Sequence, residues 1–270
     1  MQHDRLGLAD HVRRCRGCAM KEPVSRMKKM FIMPILVLPV FAMLKSAGAY
    51  EGDSSVAGVT VSGRALYTGP VPRPERVPVY RDSKYCGETV PIDKIQVERA
   101  SGGIRDVVIS VEDISRGKPI VSEKTSITFE NRTCRFLPRT NVAAVGNVLA
   151  IVNADPILHN THIRVDNRSG NTIMNVVQPA GVDVIVKPLK IAGFFDIRCD
   201  AHPFMQASIH VFEHPYFTVT DSSGRFEMVQ VPSGTYRLRM WHEAFGVRMK
   251  TITVPSSGSL NLDLEFGPED

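Results

Sequence analysis

One seven-residue stretch, Cys199-Asp200-Ala201-His202-Pro203-Phe204-Met205, constrains this chain more than any other part of the sequence. It holds a thiol, an imidazole and a thioether, and a second imidazole, His159, lies forty residues upstream of Cys199. Residues 194–199 are apolar and aromatic and residues 206–212 alternate polar with apolar side chains, so each segment predicts a β-strand. Cys199 is therefore expected to end one strand and Met205 to precede the next, with His202 in the loop between them.

These side chains form a donor set that is typical of copper. Two His and one Cys in a plane, with a long axial Met, are the ligands of a blue-copper electron-transfer site. Soft sulfur ligands favour Cu(I) and imidazole suits both oxidation states, so one site holds copper through a one-electron cycle. His162 is three residues after His159, and residues three apart in a strand face opposite sides. His162 is therefore not expected to bind the same ion as His159.

The same stretch resembles the cupredoxin family over about residues 125–212. The resemblance rests on an amicyanin-like type 1 copper loop, Cys-x-x-His-x-x-Met at 199–205, and on an upstream His-Asn pair at 159–160. It is supported by a Phe-x-Pro motif at 136–138 and by Gly146. Membership would imply a Greek-key β-sandwich that binds copper.

The resemblance also implies a role for each matching residue. His159, Cys199 and His202 would be the in-plane ligands and Met205 the axial one, while Asn160 would tie the two ligand loops together. Ala201 departs from the family pattern because it keeps a backbone N–H ahead of His202. That N–H is a candidate hydrogen-bond donor to the sulfur, so the potential of a relative does not transfer to this chain.

The N-terminus predicts a secretory signal peptide. A basic segment at 27–30 precedes an apolar run at 31–44 and a small-residue site at 47–49. An uncleaved membrane anchor is the alternative, although the run is short for a span. Residues 1–49 hold 9 of the 33 basic and 3 of the 28 acidic residues, so the remainder has a net charge of −1. The basic pI therefore indicates no nucleic-acid partner, and a secreted, periplasmic location is expected.

Cysteine counting supports the copper interpretation. From residue 50 onward the chain has three cysteines, Cys86, Cys134 and Cys199. An odd number in an oxidising compartment leaves one thiol unpaired. If Cys199 binds copper, Cys86 and Cys134 are left to form a disulfide. The alternative is that both remain as separate buried thiols.

The rest of the sequence predicts an all-β chain in four parts. Short strand-like runs alternate with turn residues and no long helical pattern follows residue 50. The parts are a signal peptide and upstream segment at 1–49, an N-terminal β segment at 50–124, the copper domain at 125–212 and a C-terminal domain at 213–270. Strands are expected at 56–66 and 104–111, and the first of these is a candidate to pair with the C-terminal domain, which would make the copper domain an insertion.

The C-terminal part carries a second resemblance. The segments Thr-Asp-Ser-Ser-Gly-Arg-Phe at 220–226 and Val-Pro-Ser-Gly-Thr-Tyr-Arg-Leu at 231–238 resemble the carboxypeptidase regulatory-like domain, a small transthyretin-like β-sandwich. This resemblance implies a fold and leaves the function open. His210 and His214, near the predicted junction, are expected to be structural.

The function predicted from these features is one-electron transfer by a type 1 copper protein with redox partner proteins. No small-molecule substrate and no enzymatic activity are expected, because four protein ligands leave no open coordination position. The alternatives are a non-redox copper-binding or partner-docking module and a copper enzyme that also uses His162.

Overall fold

The computed structural model describes residues 49–121, 125–166 and 170–268. The predicted signal peptide therefore lies outside the described residues, apart from Ala49. Strands dominate the described residues, which confirms the all-β fold class. The only helix in these ranges is α1 (Ser83–Cys86), and no helix there has the length and hydrophobicity to cross a bilayer.

Twenty strands make up the remaining regular structure of the described residues. The first ten are β1 (Glu51–Gly52), β2 (Val59–Tyr67), β3 (Glu75–Pro78), β4 (Thr89–Ile92), β5 (Val108–Glu112), β6 (Arg116–Gly117), β7 (Ser126–Asn131), β8 (Phe136–Leu137), β9 (Thr140–Ala144) and β10 (Val148–Asn153). The second ten are β11 (His159–Val165), β12 (Thr172–Gln178), β13 (Ile185–Pro188), β14 (Gly193–Arg198), β15 (Gln206–Phe212), β16 (Phe217–Val219), β17 (Arg225–Val231), β18 (Gly234–His242), β19 (Gly246–Val254) and β20 (Ser259–Phe266).

Strands β7 to β15 form a first sandwich of two sheets. One sheet has the order β13-β10-β7-β8 and the other the order β12-β11-β14-β15-β9. Both contain one parallel pair, β10 with β7 and β15 with β9, and are otherwise antiparallel. Apolar side chains from the two sheets fill the space between them, including those of Phe129, Leu149, Ile151, Ile197 and Ile209. This packing fixes the strand ends that carry the candidate site.

The remaining long strands form a second sandwich from both ends of the described chain. Its sheets have the orders β16-β5-β18-β19 and β17-β2-β20. Strand β2 runs parallel to β20, with Val61 opposite Leu260, and β5 lies between β16 and β18. The N-terminal segment therefore pairs with the C-terminal part, as the sequence suggested. All described residues belong to one compact unit, and the boundaries at 125 and 212 remain predictions.

Burial along the strands follows their surroundings. Strand β17 alternates exposed and buried side chains over most of its length because only one face meets the core. Strand β15 is buried at every position between its two ends. One of its faces meets the first core, and on the other His210 packs against Trp241 of β18, with 4.4 Å between ring centroids. The strand that follows the ligand loop is thus held by both sandwiches.

The strand bounds test four expectations from the sequence. The strand predicted at 206–212 coincides with β15, whereas β14 ends at Arg198, one residue before the predicted strand end at Cys199. The strand predicted at 104–111 is displaced, since β5 begins at Val108. Asp106 adopts a left-handed φ of 65°, which is incompatible with extended strand geometry and delays the start. The predicted strand at 56–66 is β2, shifted by a few residues.

Candidate metal centre

Three adjacent strands bring the candidate ligands to one end of the five-stranded sheet. Cys199 directly follows β14, Met205 directly precedes β15, and Arg198 pairs with Gln206 at the base of the loop. His159 is the first residue of β11, which runs antiparallel to β14 on its other side. Because antiparallel neighbours place the start of one strand beside the end of the other, His159 lies next to the loop.

The loop folds back on itself around the sulfur. The N–H of Met205 donates to the carbonyl of His202 at 2.8 Å, and the N–H of Cys199 donates to the carbonyl of Met205 at 3.3 Å. His159, Cys199, His202 and Met205 are all at most 1% exposed. The structure therefore places the four predicted ligands in one buried region, although their metal binding remains a prediction.

The two imidazoles present the same ring nitrogen to the sulfur. The Sγ of Cys199 lies 4.0 Å from Nδ1 of His159 and 3.6 Å from Nδ1 of His202. First-row metals bond imidazole at about 2.0–2.1 Å and thiolate at about 2.3 Å, so two such ligands 120° apart are separated by about 3.8 Å. Both sulfur–nitrogen separations are close to this value, so the three residues fit the predicted in-plane ligand set of a copper site.

A second group of side chains lies close enough together to bind a metal, but its sulfur is not a free thiol. Cys134, Asp155 and His159 lie within ligand distance of one another. The sulfur of Cys134, however, is bonded to Cys86. This disulfide confirms the predicted pairing and leaves Cys199 as the free cysteine of the described residues. The thiol available for a metal is therefore that of Cys199.

A backbone amide donates to the Cys199 sulfur, since the N–H of Asn160 lies 3.4 Å from Sγ. Burial raises the pKa of the Cys199 thiol, and the backbone N–H groups of Asn160, His202 and Ala201 oppose that rise. N–H donors to a thiolate stabilise its negative charge and withdraw electron density from it.

His159 is oriented by a carboxylate that the sequence analysis did not identify. Its Nε2 lies 2.8 Å from Oδ2 of Asp155, and both side chains are almost fully buried. Burial lowers the pKa of His159, so the ring is neutral at pH 7 and donates its Nε2–H. Nδ1 then keeps its lone pair directed at the sulfur. Asp155 lies four residues before His159, and this short separation was the sequence feature that could have indicated their contact.

Asp155 is held as an anion by several donors. Burial raises the pKa of its carboxyl group, but hydrogen bonds from the Cys134 N–H, His159, Tyr85 and the Thr133 N–H outweigh this effect and lower it. The Tyr85 hydroxyl donates to Oδ1 at 2.9 Å, and the Cys134 N–H donates to Oδ2 at 2.9 Å. The contact between Asp155 and His159 is thus anchored near the disulfide.

His202 has a carboxylate partner of its own. Its Nε2 lies 3.1 Å from Oδ2 of Asp82, which is 120 positions away in sequence. The His202 side chain has no exposed surface, and its pKa is lowered by burial and by His159 despite the nearby carboxylate. Its ring centroid is 4.8 Å from that of His159. No local sequence pattern connects Asp82 to the ligand loop, which explains why it was missed.

Asn160 connects the start of β11 to the ligand loop through hydrogen bonds to Asp200. Its Oδ1 accepts the backbone N–H of Asp200, and its Nδ2 donates to Oδ2 of Asp200 at 3.1 Å. His162 faces the other way, with Nδ1 3.0 Å from Asp200 and Nε2 2.8 Å from the Thr172 hydroxyl. Among the described residues, the candidate metal groups do not include His162.

One family model matches part of the chain. It describes polysaccharide lyase family 4, domain II, and it covers residues 207–262. The match falls mainly on the predicted C-terminal domain and does not confirm the carboxypeptidase regulatory-like assignment. No curated protein matches the chain.

Solved structures similar to the chain include cupredoxins. The copper-containing nitrite reductase NirK from Thermus scotoductus SA-01 is 19% identical over 33% of this chain and 23% of its own, with a TM-score of 0.30. Amicyanin from Paracoccus versutus (Thiobacillus versutus) is 17% identical over 33% of this chain and 82% of its own, with a TM-score of 0.29. A reduced amicyanin mutant is 18% identical, over 32% of this chain and 82% of its own, with a TM-score of 0.29. The chain thus spans about a quarter of the nitrite reductase.

Proposed function

We propose that this chain is a type 1 copper protein that transfers single electrons between partner proteins. The observation that carries the proposal is the convergence of Nδ1 of His159 and Nδ1 of His202 on the Cys199 sulfur in a buried pocket. Met205, buried in the same loop, is proposed as the weak axial ligand. Copper bound there would supply a one-electron couple between Cu(I) and Cu(II).

The surrounding residues suit electron transfer because they hold the donors in fixed positions. Asp155 orients one imidazole, and Asn160 connects the two ligand segments through its side chain. The backbone N–H of Asn160 also donates a hydrogen bond to the sulfur. A site that is rigid before the metal binds needs little rearrangement when the charge changes, which is what a fast electron carrier requires. We propose no enzymatic activity, since His162 is engaged by Asp200 and Thr172.

A non-redox copper-binding or docking module is the second candidate. It is favoured by the complete burial of His202, which leaves no exposed imidazole edge at which a partner would meet the ligand. The C-terminal part, with its resemblance to carboxypeptidase regulatory-like domains, would then provide the docking surface. Under both candidates we propose a secreted, periplasmic protein with no nucleic-acid partner, on the basis of the signal-like N-terminus and the charge of the remainder.

Copper titration of the metal-free protein followed by visible absorption tests the proposal. We expect one equivalent of Cu(II) to give an intense blue thiolate band that reversible reduction removes. Zinc is the matched control because its filled d shell allows no such band and no redox step. A colourless copper complex would reject the electron-transfer proposal and support the binding module.

A further inference from the structure

A short segment before the first sandwich covers the candidate metal centre. We call residues 75–92 the cap: they comprise the β3–β4 hairpin, with α1 between its strands. A groove of about 650 Å³ separates the cap from the ligand loop, lined by Val77, Tyr80, Arg81, Ala201, Pro203 and Phe204. Asp82, which belongs to the cap, reaches Nε2 of His202. The cap thus contributes a polar group to a site that β11 and the loop otherwise complete.

The side chain of Asp82 is directed at His202 instead of the helix it precedes. Asp82 occupies the N-cap position of α1 with a left-handed φ of 57°, yet it makes no side-chain cap hydrogen bond. Aspartate at such a position usually accepts an N–H of the first helical turn. Here its carboxylate accepts from the imidazole, while its side chain remains 33% exposed and Arg81 lies 3.5 Å away.

Two further contacts hold the cap in place, and both lead to the other imidazole. The Tyr85 hydroxyl donates to Asp155, which accepts the Nε2–H of His159. Cys86 is bonded to Cys134, whose N–H also donates to Asp155. One turn of helix is thus anchored beside both imidazoles, and the anchoring fixes the position of Asp82 relative to His202.

We propose that Asp82 is a positioning residue that orients His202 and increases its strength as a copper ligand. This inference rests on the proposed copper site. A carboxylate that accepts the outer N–H of a ligating imidazole fixes the ring orientation and raises its basicity. The negative charge also favours the more positive oxidation state, so Asp82 lowers the reduction potential. Because the cap encloses the ring, electrons enter without direct contact between a partner and His202.

A graded set of variants tests this role without straining the backbone. Asp82→Asn keeps the left-handed conformation and an acceptor oxygen but removes the charge, and Asp82→Gly keeps the conformation and removes the acceptor. Asp113→Asn is the matched control, because Asp113 is an exposed aspartate of the second sandwich that pairs with Arg237. Far-ultraviolet circular dichroism verifies that each variant is folded.

Copper affinity, reduction potential and imidazole nitrogen shifts are then measured. We expect Asp82→Gly to weaken Cu(II) binding by about 10- to 100-fold, as loss of an outer-shell partner does. A tenfold loss confined to Cu(II) raises the potential by about 59 mV for a one-electron couple. Asp82→Asn should fall between wild type and Asp82→Gly, and Asp113→Asn should match wild type.

The metal-free protein separates this proposal from the copper assignment. In ¹⁵N spectra of the apo protein, the His202 ring should lose its fixed Nε2–H tautomer in Asp82→Gly and keep it in Asp113→Asn. If wild type gives the blue band and Asp82→Gly matches its affinity, potential and ring shifts, the positioning role is rejected and the copper function stands. If wild type binds no copper, the proposed function and the ligand-strengthening role both fail.

Discussion

Acidification should destabilise the protein through His210. This residue lies on β15, is 3% exposed, and its Nε2 has no hydrogen-bond partner among the described residues. Its ring packs between Phe194 and Trp241, with centroid distances of 5.0 and 4.4 Å. Burial, helped by the positive charge of Arg239, lowers the pKa of His210 from 6.5 to about 3. An imidazolium at this position would have no acceptor for its Nε2–H among the described residues.

The size of the effect follows from proton linkage. The folded pKa is below the unfolded one, so lowering the pH protonates the unfolded chain first and stability falls. At pH 5 the unfolded imidazole is almost fully protonated, whereas the folded one, with a pKa of about 3, is still neutral. The free energy of unfolding should therefore fall by about 2 kcal/mol between pH 7 and pH 5 from His210 alone.

Urea unfolding of the metal-free protein at both pH values measures this change. The emission of Trp241, the only tryptophan in the chain, reports the environment of His210 directly. The control is His210→Leu, which has a similar volume and no titrating group. Other buried histidines contribute equally to both proteins, so only the difference is assigned to His210. If wild type and His210→Leu lose the same stability between pH 7 and pH 5, the burial argument is wrong.

Four further predictions concern the sulfur atoms and the two histidines of β11. Cys199→Ser should abolish the blue band of the copper-loaded protein and leave its circular dichroism unchanged, because the thiolate is the charge-transfer ligand; a variant that stays blue would contradict the ligand assignment. Thiol titration of the unfolded, unreduced, metal-free protein beginning at residue 50 should find one free cysteine, and three would disprove the disulfide in solution. Reduction of the Cys86–Cys134 bond, which joins residues 48 apart, should cost about 4 kcal/mol of stability by the chain-entropy relation. His162→Ala should keep the band and His159→Ala should lose it, and equal loss in both would revive the open-site enzyme hypothesis.

Local features were readable from the sequence because they depend on neighbouring residues. Alternating polarity located β15, and the strand on each side of the loop placed Cys199 and Met205 correctly. The face argument for His162 also held, since period-two geometry is a property of a single strand. The late start of β5 was missed because it depends on the backbone conformation of Asp106, which polarity does not reveal.

Contacts between distant segments were not readable in the same way. Nothing adjacent to Asp82 indicates that its carboxylate meets an imidazole 120 positions later. Even the role of Asp155, four residues from His159, depends on Tyr85 and on the Cys134 amide, which tertiary packing brings to it. The disulfide could be predicted because the argument needs only the number of cysteines and not their positions in the fold. The outer hydrogen bonds of the site are therefore a property of the fold and not of any motif.

The pairing of β2 with β20 has a consequence for the order in which the protein folds. Val61 lies opposite Leu260, so the central strand of this sheet waits for one of its neighbours until nearly the whole described chain is available. The first sandwich has no such delay, because all its strands fall between residues 126 and 212. We expect it to form first and to shorten the loop that must close before β2 and β20 meet. During synthesis or export, residues 59–67 would remain unpaired the longest, which makes them the segment most in need of protection from aggregation.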